Sequence, residues 1–411
     1  MTLDLILRDA RPMDRPSDAP TVDIGVANGQ ISAIEPDLGD GAEVIEAGGR
    51  LVSPGLIESH IHLDKSRILD RCPAGTKGTM DHMERISEVK HHFTVEDVHN
   101  RAGQTIEDCL LHGTMHMRTH VEVDPNGGLR GFEAITQLAD EYRWAIDLDI
   151  CVFAQEGWSN VPEVDANIVS ALKSGAPVVG GAPKFDPDPE WQIRRIFELA
   201  QEYDVDVDIH LDTGLASDHL DVLLVCDLAD EIGWGGRVAV GHGSRYSSLA
   251  PNKLADLGQR LAGSGVATTV LPTTDLYVVG RDMDRAVPRG VADANALIDQ
   301  GANCCLSTNN VLNPFTPYGD GSLMRMANLY ANIVQRGTDR ELEQCFEMLS
   351  VRPAKLLGRE GYAVAVGTPA DLVVWDATSM VEAVATIAPA LFGFKRGRRS
   401  FTREVPVLHR P

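Results

Sequence analysis

Two histidines, His60 and His62, stand two residues apart in the segment Pro54-Gly55-Leu56-Ile57-Glu58-Ser59-His60-Ile61-His62-Leu63-Asp64-Lys65. On an extended strand, residues i and i+2 face the same side, so the two imidazoles point together. Neutral imidazole is a good ligand for Zn, Fe, Ni or Cu, and one divalent ion is the chemistry this spacing suggests. Taken alone, His-x-His also describes two polar residues in a loop. Three more histidines strengthen the metal reading, because each closes a candidate strand. His120 follows His116-Met117-Arg118-Thr119, His210 follows Val207-Asp208-Ile209, and His242 follows Val238-Ala239-Val240-Gly241.

The elements that would carry these residues repeat along the middle of the chain. Eight short apolar runs read as strands: 56–57, 116–120, 149–153, 178–180, 207–210, 238–242, 267–270 and 305–308. Amphipathic stretches such as 190–203 and 219–232 lie between them and read as helices. Eight strands alternating with helices over roughly 300 residues predict a parallel (β/α)8 barrel, whose chemistry sits at the carboxyl ends of its strands. A doubly wound open sheet competes, but no GxGxxG follows the first strand. The first 50 residues and the segment from 370 onward have another rhythm. Leu3–Leu7, Asp23–Val26, Gln30–Ile34 and Ala370–Trp375 are short strands, with Asn28-Gly29 as a hairpin turn. The expected organisation is a small β-sandwich domain from residues 1–52 plus 363–411, and a barrel over 53–362.

Composition narrows the function. The 411 residues hold 37 Lys and Arg against 60 Asp and Glu, a net charge of −23. Such a surface repels phosphate backbones, so no nucleic-acid partner is expected. No window reaches the ~20 apolar residues of a membrane span. Asp4, Arg8 and Asp9 interrupt the apolar start, which does not read as a secretion signal. Seven scattered cysteines without a CxxC pair read as reduced thiols of a cytoplasmic protein.

These motifs together resemble the amidohydrolase superfamily, and within it the cytosine deaminase-like branch that includes the isopropylammelide amidohydrolases. The resemblance rests on His60-Ile61-His62-Leu63-Asp64-Lys65, Arg118-Thr119-His120-Val121-Glu122-Val123-Asp124, Phe153-Ala154-Gln155-Glu156-Gly157 and Asp208-Ile209-His210-Leu211-Asp212. It continues through Gly241-His242-Gly243, Ser307-Thr308-Asn309-Asn310-Val311 and the closing Gly367-Thr368-Pro369-Ala370-Asp371-Leu372-Val373-Val374. It implies a TIM barrel enzyme that hydrolyses a C–N bond in a small nitrogen heterocycle or cyclic amide. One divalent metal, zinc before iron or manganese, is implied on His60, His62 and His210, with Asn309 as a weak oxygen ligand. Such an ion lowers the pKa of its bound water toward ~7, making hydroxide available at neutral pH. His242 would then orient or deprotonate the attacking water. Gln155, His120, Trp158 and Phe315 are expected to meet the substrate, and Lys65 to steady it or a ligand.

Two positions depart from the branch pattern. The eighth-strand residue, an aspartate that shuttles a proton in these enzymes, is Asn309 here, and an amide is no general base. Either the natural chemistry is altered, or the chain is an Asp→Asn inactivated form; the otherwise intact constellation favours the second. The glutamate expected three residues past His210 is Thr213, which cannot protonate a ring nitrogen. Asp212 or His219 is expected to substitute, or the substrate needs no ring protonation. Lys184 follows the fourth strand, where a carboxylated lysine would bridge two metals in binuclear relatives. Two further readings stand beside the hydrolase: a non-catalytic scaffold of the same fold, and a hydrolase of a lactone or ester. Assembly into a homo-oligomer is left open.

Overall fold

The structure, a computed structural model, describes residues 3–16, 18–75 and 79–409. Its larger sheet has eight parallel strands in sequential order. They are β1 (Leu56–Ile61), β2 (Thr114–Glu122), β3 (Asp147–Ala154), β4 (Val178–Gly181), β5 (Asp206–Leu211), β6 (Val238–His242), β7 (Val266–Val270) and β8 (Cys304–Leu306). All eight apolar runs of the sequence become these strands. The amphipathic stretches between them form helices, among them α1 (Pro189–Tyr203) and α2 (Val222–Ile232). The Asp188 carboxyl caps α1 by accepting from Trp191 N at 3.1 Å, and Gly233 ends α2 in the left-handed region at φ 70°. Ile193, Ile196, Phe197 and Ala200 form the buried stripe of α1, packing in one apolar core with Val207 and Ile209 of β5.

Closure of the barrel runs through the His-x-His segment itself. Asn309 N donates to His60 O at 3.0 Å, and His62 N donates to Asn309 O at 2.8 Å. Ser59 N adds a bond to Ser307 Oγ at 3.1 Å. Glu58, fully buried on β1, clamps the same seam: its carboxyl accepts from Thr308 N at 3.1 Å and from Thr308 Oγ1. The first and eighth strand ends therefore cannot move independently.

Strands from both termini build the second sheet. Leu5–Pro12 pairs with Val22–Ala27, Glu43–Glu46 and Leu51–Pro54, and Leu51–Pro54 pairs with Leu372–Trp375 from the far end of the chain. Leu5, Ile24, Val52, Leu372, Val374 and Phe394 share its core. Asn28 and Gly29 take φ 53° and 77°, as the two-residue hairpin requires. Lys395 pins this sheet beneath the barrel, its Nζ 2.7 Å from Asp371 Oδ2 and 2.8 Å from Asp147 Oδ2. No helix among the described residues is long and apolar enough to cross a membrane.

Burial pushes the Glu58 carboxyl up to about 8. A folded-state value above the unfolded one gives stability that is complete below about 4.5 and lost as pH rises through about 8. Glu58→Gln keeps an acceptor for Thr308 but does not titrate. The Tm of the native chain minus that of E58Q should therefore fall steadily between pH 5 and pH 8 in calorimetry. A constant difference would remove Glu58 as a titrating clamp.

Candidate active site

Four side chains from three strands meet at the carboxyl end of the barrel. His60 lies in β1, His62 one residue past its end, His120 in β2 and His210 in β5. His210 Nε2 is 3.1 Å from His60 Nε2 and 3.0 Å from His62 Nε2. The His120 ring lies over His60, with centroids 3.8 Å apart. Burial, then the neighbouring imidazoles, hold His60 down to about 3. Burial also drives His62 and His210 well below the usual histidine value. The rings are thus neutral, the state in which imidazole binds metals.

A bound cation fits this arrangement. A ring nitrogen offers one in-plane site, either a proton or a lone pair, so His210 Nε2 cannot make two well-directed hydrogen bonds to two other ring nitrogens. Ligands about 2.1 Å from a tetrahedral ion lie roughly 3.4 Å apart, a few tenths of an ångström beyond what is seen. His60, His120 and His210 also bring ring nitrogens within 4.8 Å of one another. Two other carboxylate-containing clusters could hold an ion on distance alone, but each already contains an ammonium group. Lys90 Nζ sits among Glu122, Asp124 and Glu156, and Lys395 Nζ among His116, Asp147 and Asp371. Carboxylate attraction outweighs burial at Lys90 and raises it well above the usual lysine value. Among the described residues, the histidine cluster is the one of the three without an ammonium group inside it.

Above the histidines opens a cavity of about 630 Å³. His62, His210, His242, Lys65, Gln155, Asn309 and Phe315 all line it, as do Lys184 and Thr213. Lys65 Nζ pairs with Glu122 and lies 3.4 Å from Gln155 Oε1 and 5.1 Å from the Phe315 ring centroid. The Asn309 backbone stands at φ 63°, a conformation asparagine tolerates, and its Oδ1 is buried without a partner.

Three expected site residues are placed elsewhere. Trp158 is buried off the cavity, its Nε1 donating to Asp165 Oδ1 at 3.1 Å and its ring edge-on to Trp191. It packs the wall behind Gln155 and has no free face for a ring substrate. Asp212 points into its own loop, where it accepts from Asp221 N at 2.9 Å, Val222 N at 3.2 Å and Tyr246 Oη at 3.1 Å. A carboxyl holding the start of α2 is not available to a substrate, and His219 is exposed beside Asp221. His120 is fully buried beneath the cavity floor, among the clustered imidazoles. Lys184, offered as a metal bridge, instead extends over the Phe185 ring at 5.9 Å within the cavity wall.

Sequence reasoning passed over two carboxyls. Asp208 Oδ1 lies 3.4 Å from both His60 Nδ1 and His120 Nε2, while Arg118 Nη1 holds its other oxygen at 3.4 Å. Its signal was available: it stands two residues before His210, hence on the same strand face. Asp275, in the short helix α3 (Pro272–Val278), accepts from His242 Nδ1 at 2.7 Å. Nothing in its local sequence marks it.

Residues 138–395 match the amidohydrolase family. The chain belongs to that family. N-isopropylammelide isopropyl amidohydrolase of Pseudomonas sp. (strain ADP) is 29% identical over 98% of both chains. Pterin deaminase of Rhizobium rhizogenes is 26% identical over 86% of this chain and 82% of its own. Among solved structures, 5-methylcytosine deaminase from Klebsiella pneumoniae liganded with 5-fluorocytosine superposes with a TM-score of 0.91 at 28% identity, covering 99% of each chain. The family likeness thus spans the terminal sheet as well as the barrel.

Carboxylates that orient a ligand histidine typically change metal affinity by about 10–100-fold. Asp208→Asn should weaken zinc binding by about that factor in a chelator-competition titration, with the far-UV CD spectrum retained. Unaltered zinc affinity would show that Asp208 does not support the ligands.

Proposed function

We propose that this amidohydrolase uses a metal-activated water to break a C–N bond in a small nitrogen heterocycle or cyclic amide, releasing ammonia or an amine or opening the ring. The observation that carries the proposal is the convergence of three neutral imidazoles on the floor of a cavity whose walls hold His242, Gln155 and Lys65. His60, His62 and His210 would hold the ion, with Asn309 Oδ1 as a weak fourth donor. The ion, zinc before iron or manganese given three imidazole ligands, would supply a water of lowered pKa.

The remaining groups position and move protons. His242 faces the cavity and takes the proton of the attacking water, then returns it to the departing nitrogen. The Gln155 amide both donates and accepts, matching the mixed edge of a nitrogen heterocycle. Lys65, fixed by Glu122, presents its ammonium to a carbonyl or ring nitrogen beside Gln155. The Phe315 ring lines the cavity beside the Lys65 ammonium. Thr213 lines the cavity where ring protonation would require an acid, so a substrate whose leaving group is an amine on an already electron-poor ring suits this site. The relatives named for acting on N-isopropylammelide and pterin, and the structure liganded with 5-fluorocytosine, support a flat polar ring. A cavity of about 630 Å³ leaves room for ring substituents. All seven cysteines are buried free thiols, which supports a cytoplasmic setting, and the net charge of −23 supports a small-molecule partner over nucleic acid.

A panel of N-isopropylammelide, 5-methylcytosine, cytosine, a pterin and a γ-lactone decides the reaction, with ammonia or amine release and lactone opening as readouts. C–N cleavage should disappear after chelation and return with zinc, iron or manganese. Lactone opening alone would assign the ester reading. A chain that retains no metal and acts on nothing would be a scaffold, the reading that Asn309 favours. Asn309→Asp extends the test: a sharp rise in turnover marks an Asp→Asn inactivated form, and its absence marks proton handling by other groups.

A further inference from the structure

We infer that Asp275 on α3 is a positioning residue for His242, a carboxyl supplied from beyond the seventh strand. The inference rests on the C–N hydrolase reading for its consequence, though not for its geometry.

Four observations converge on it. The His242 Nδ1 to Asp275 Oδ1 distance is 2.7 Å, within the range of a charge-assisted bond. Asp275 is 1% exposed, and its Oδ2 is buried with no partner, so His242 is the sole side chain it hydrogen-bonds among the described residues. His242 stands at φ 77°, in the left-handed region that a histidine seldom occupies. That backbone turn at the very end of β6 directs the ring where a strand residue would not reach. Finally, α3 is held in place independently: Thr274 Oγ1 and Thr316 Oγ1 are 2.6 Å apart, and Thr273 Oγ1 is 2.8 Å from Met326 Sδ.

The consequence follows from hydrogen-bond polarity. A carboxylate only accepts, so the bonded ring nitrogen, Nδ1, carries the hydrogen and Nε2 is left with its lone pair. His242 lines the cavity, so the lone pair is available there. In the proposed reaction one proton leaves the water for His242 Nε2 as the oxygen bonds to the ring carbon. The same proton passes from Nε2 to the departing nitrogen as the C–N bond breaks. The second water proton stays on the product as hydroxyl or ring N–H, so atoms and charge balance without a further reactant. Asp275, 1% exposed at the cavity wall, acts through His242: it fixes the tautomer whose Nε2 takes the proton and returns it. Asn309, whose amide cannot carry a proton, is then left to act as an oxygen donor.

Nitrogen NMR of zinc-loaded protein with ¹⁵N-labelled histidine tests this directly, with His242→Gln used to identify the His242 signals. The native chain should show His242 protonated at Nδ1. Asp275→Asn should populate the Nε2-protonated form and lower kcat on whichever panel compound is turned over by about 10²–10⁴-fold, with KM and zinc content held. Asp275→Glu should recover at least part of that loss. An Nε2-protonated His242 in the native chain overturns the inference even if D275N does not fold, as does a D275N that keeps both the native tautomer and kcat. If no panel compound reacts while the native tautomer is the Nδ1-protonated one, the C–N reading fails and the Asp275 assignment stands.

Discussion

His210 Nε2 faces two other imidazole nitrogens at 3.0 and 3.1 Å with a single in-plane site to offer them. Three such nitrogens in a buried pocket are tolerable only with the rings neutral and a positive centre to share. Much of the surrounding structure serves that requirement. Asp208 places a carboxyl behind His60 and His120, and buried Arg118 anchors Asp208. The seam closing the barrel passes through His60, His62 and Asn309, so the ligand segment is held by backbone bonds on the side where a sheet edge would otherwise lie open. Glu58 reinforces the seam with an uncharged carboxyl in a site too dry for a charged one.

Two lysines meet the buried carboxylates of β2 and its neighbours. Lys90 neutralises Glu122, Asp124 and Glu156, and Glu122 also pairs with Lys65. Removing one member of such a buried network leaves an uncompensated charge, at a cost of roughly 3–5 kcal/mol. Lys65 is therefore stiff for so long a side chain, and its ammonium reaches the cavity from a fixed point beside Gln155. The strongly acidic composition belongs to the molecule's outside. The cavity wall itself carries Lys65, Lys184 and Arg281 as well as Asp275 and Asp282.

The barrel explains how a carboxyl beyond one strand can serve a side chain at the end of another. Every strand delivers its last residues to the same mouth, so a group after β7 can serve a histidine at the end of β6 as well as a group after β8 can. Here the residue after β8 is an amide in a left-handed turn, whose backbone closes the barrel, and the residue after β7 carries the carboxyl. His242 and Asn309 both take left-handed backbone angles where the chain leaves the regular strands.

The sequence by itself determined the barrel, the terminal sheet and the histidine set. Strand period two puts His60 with His62, and short runs alternating with helical stretches mark the eight strands, because strands buried on both faces are mostly apolar. It also contained Asp208, on the face of His210. Only the tertiary structure decided which polar residues near those strands reach the cavity. Trp158, Asp212 and His120 stand in the right motifs yet face a neighbouring helix, a loop backbone and the ring cluster. Asp275 stands in no motif and meets His242 across 33 residues of sequence. Direction at a strand end is set by a few backbone angles and by packing against distant segments, and neither leaves a periodic trace in the chain.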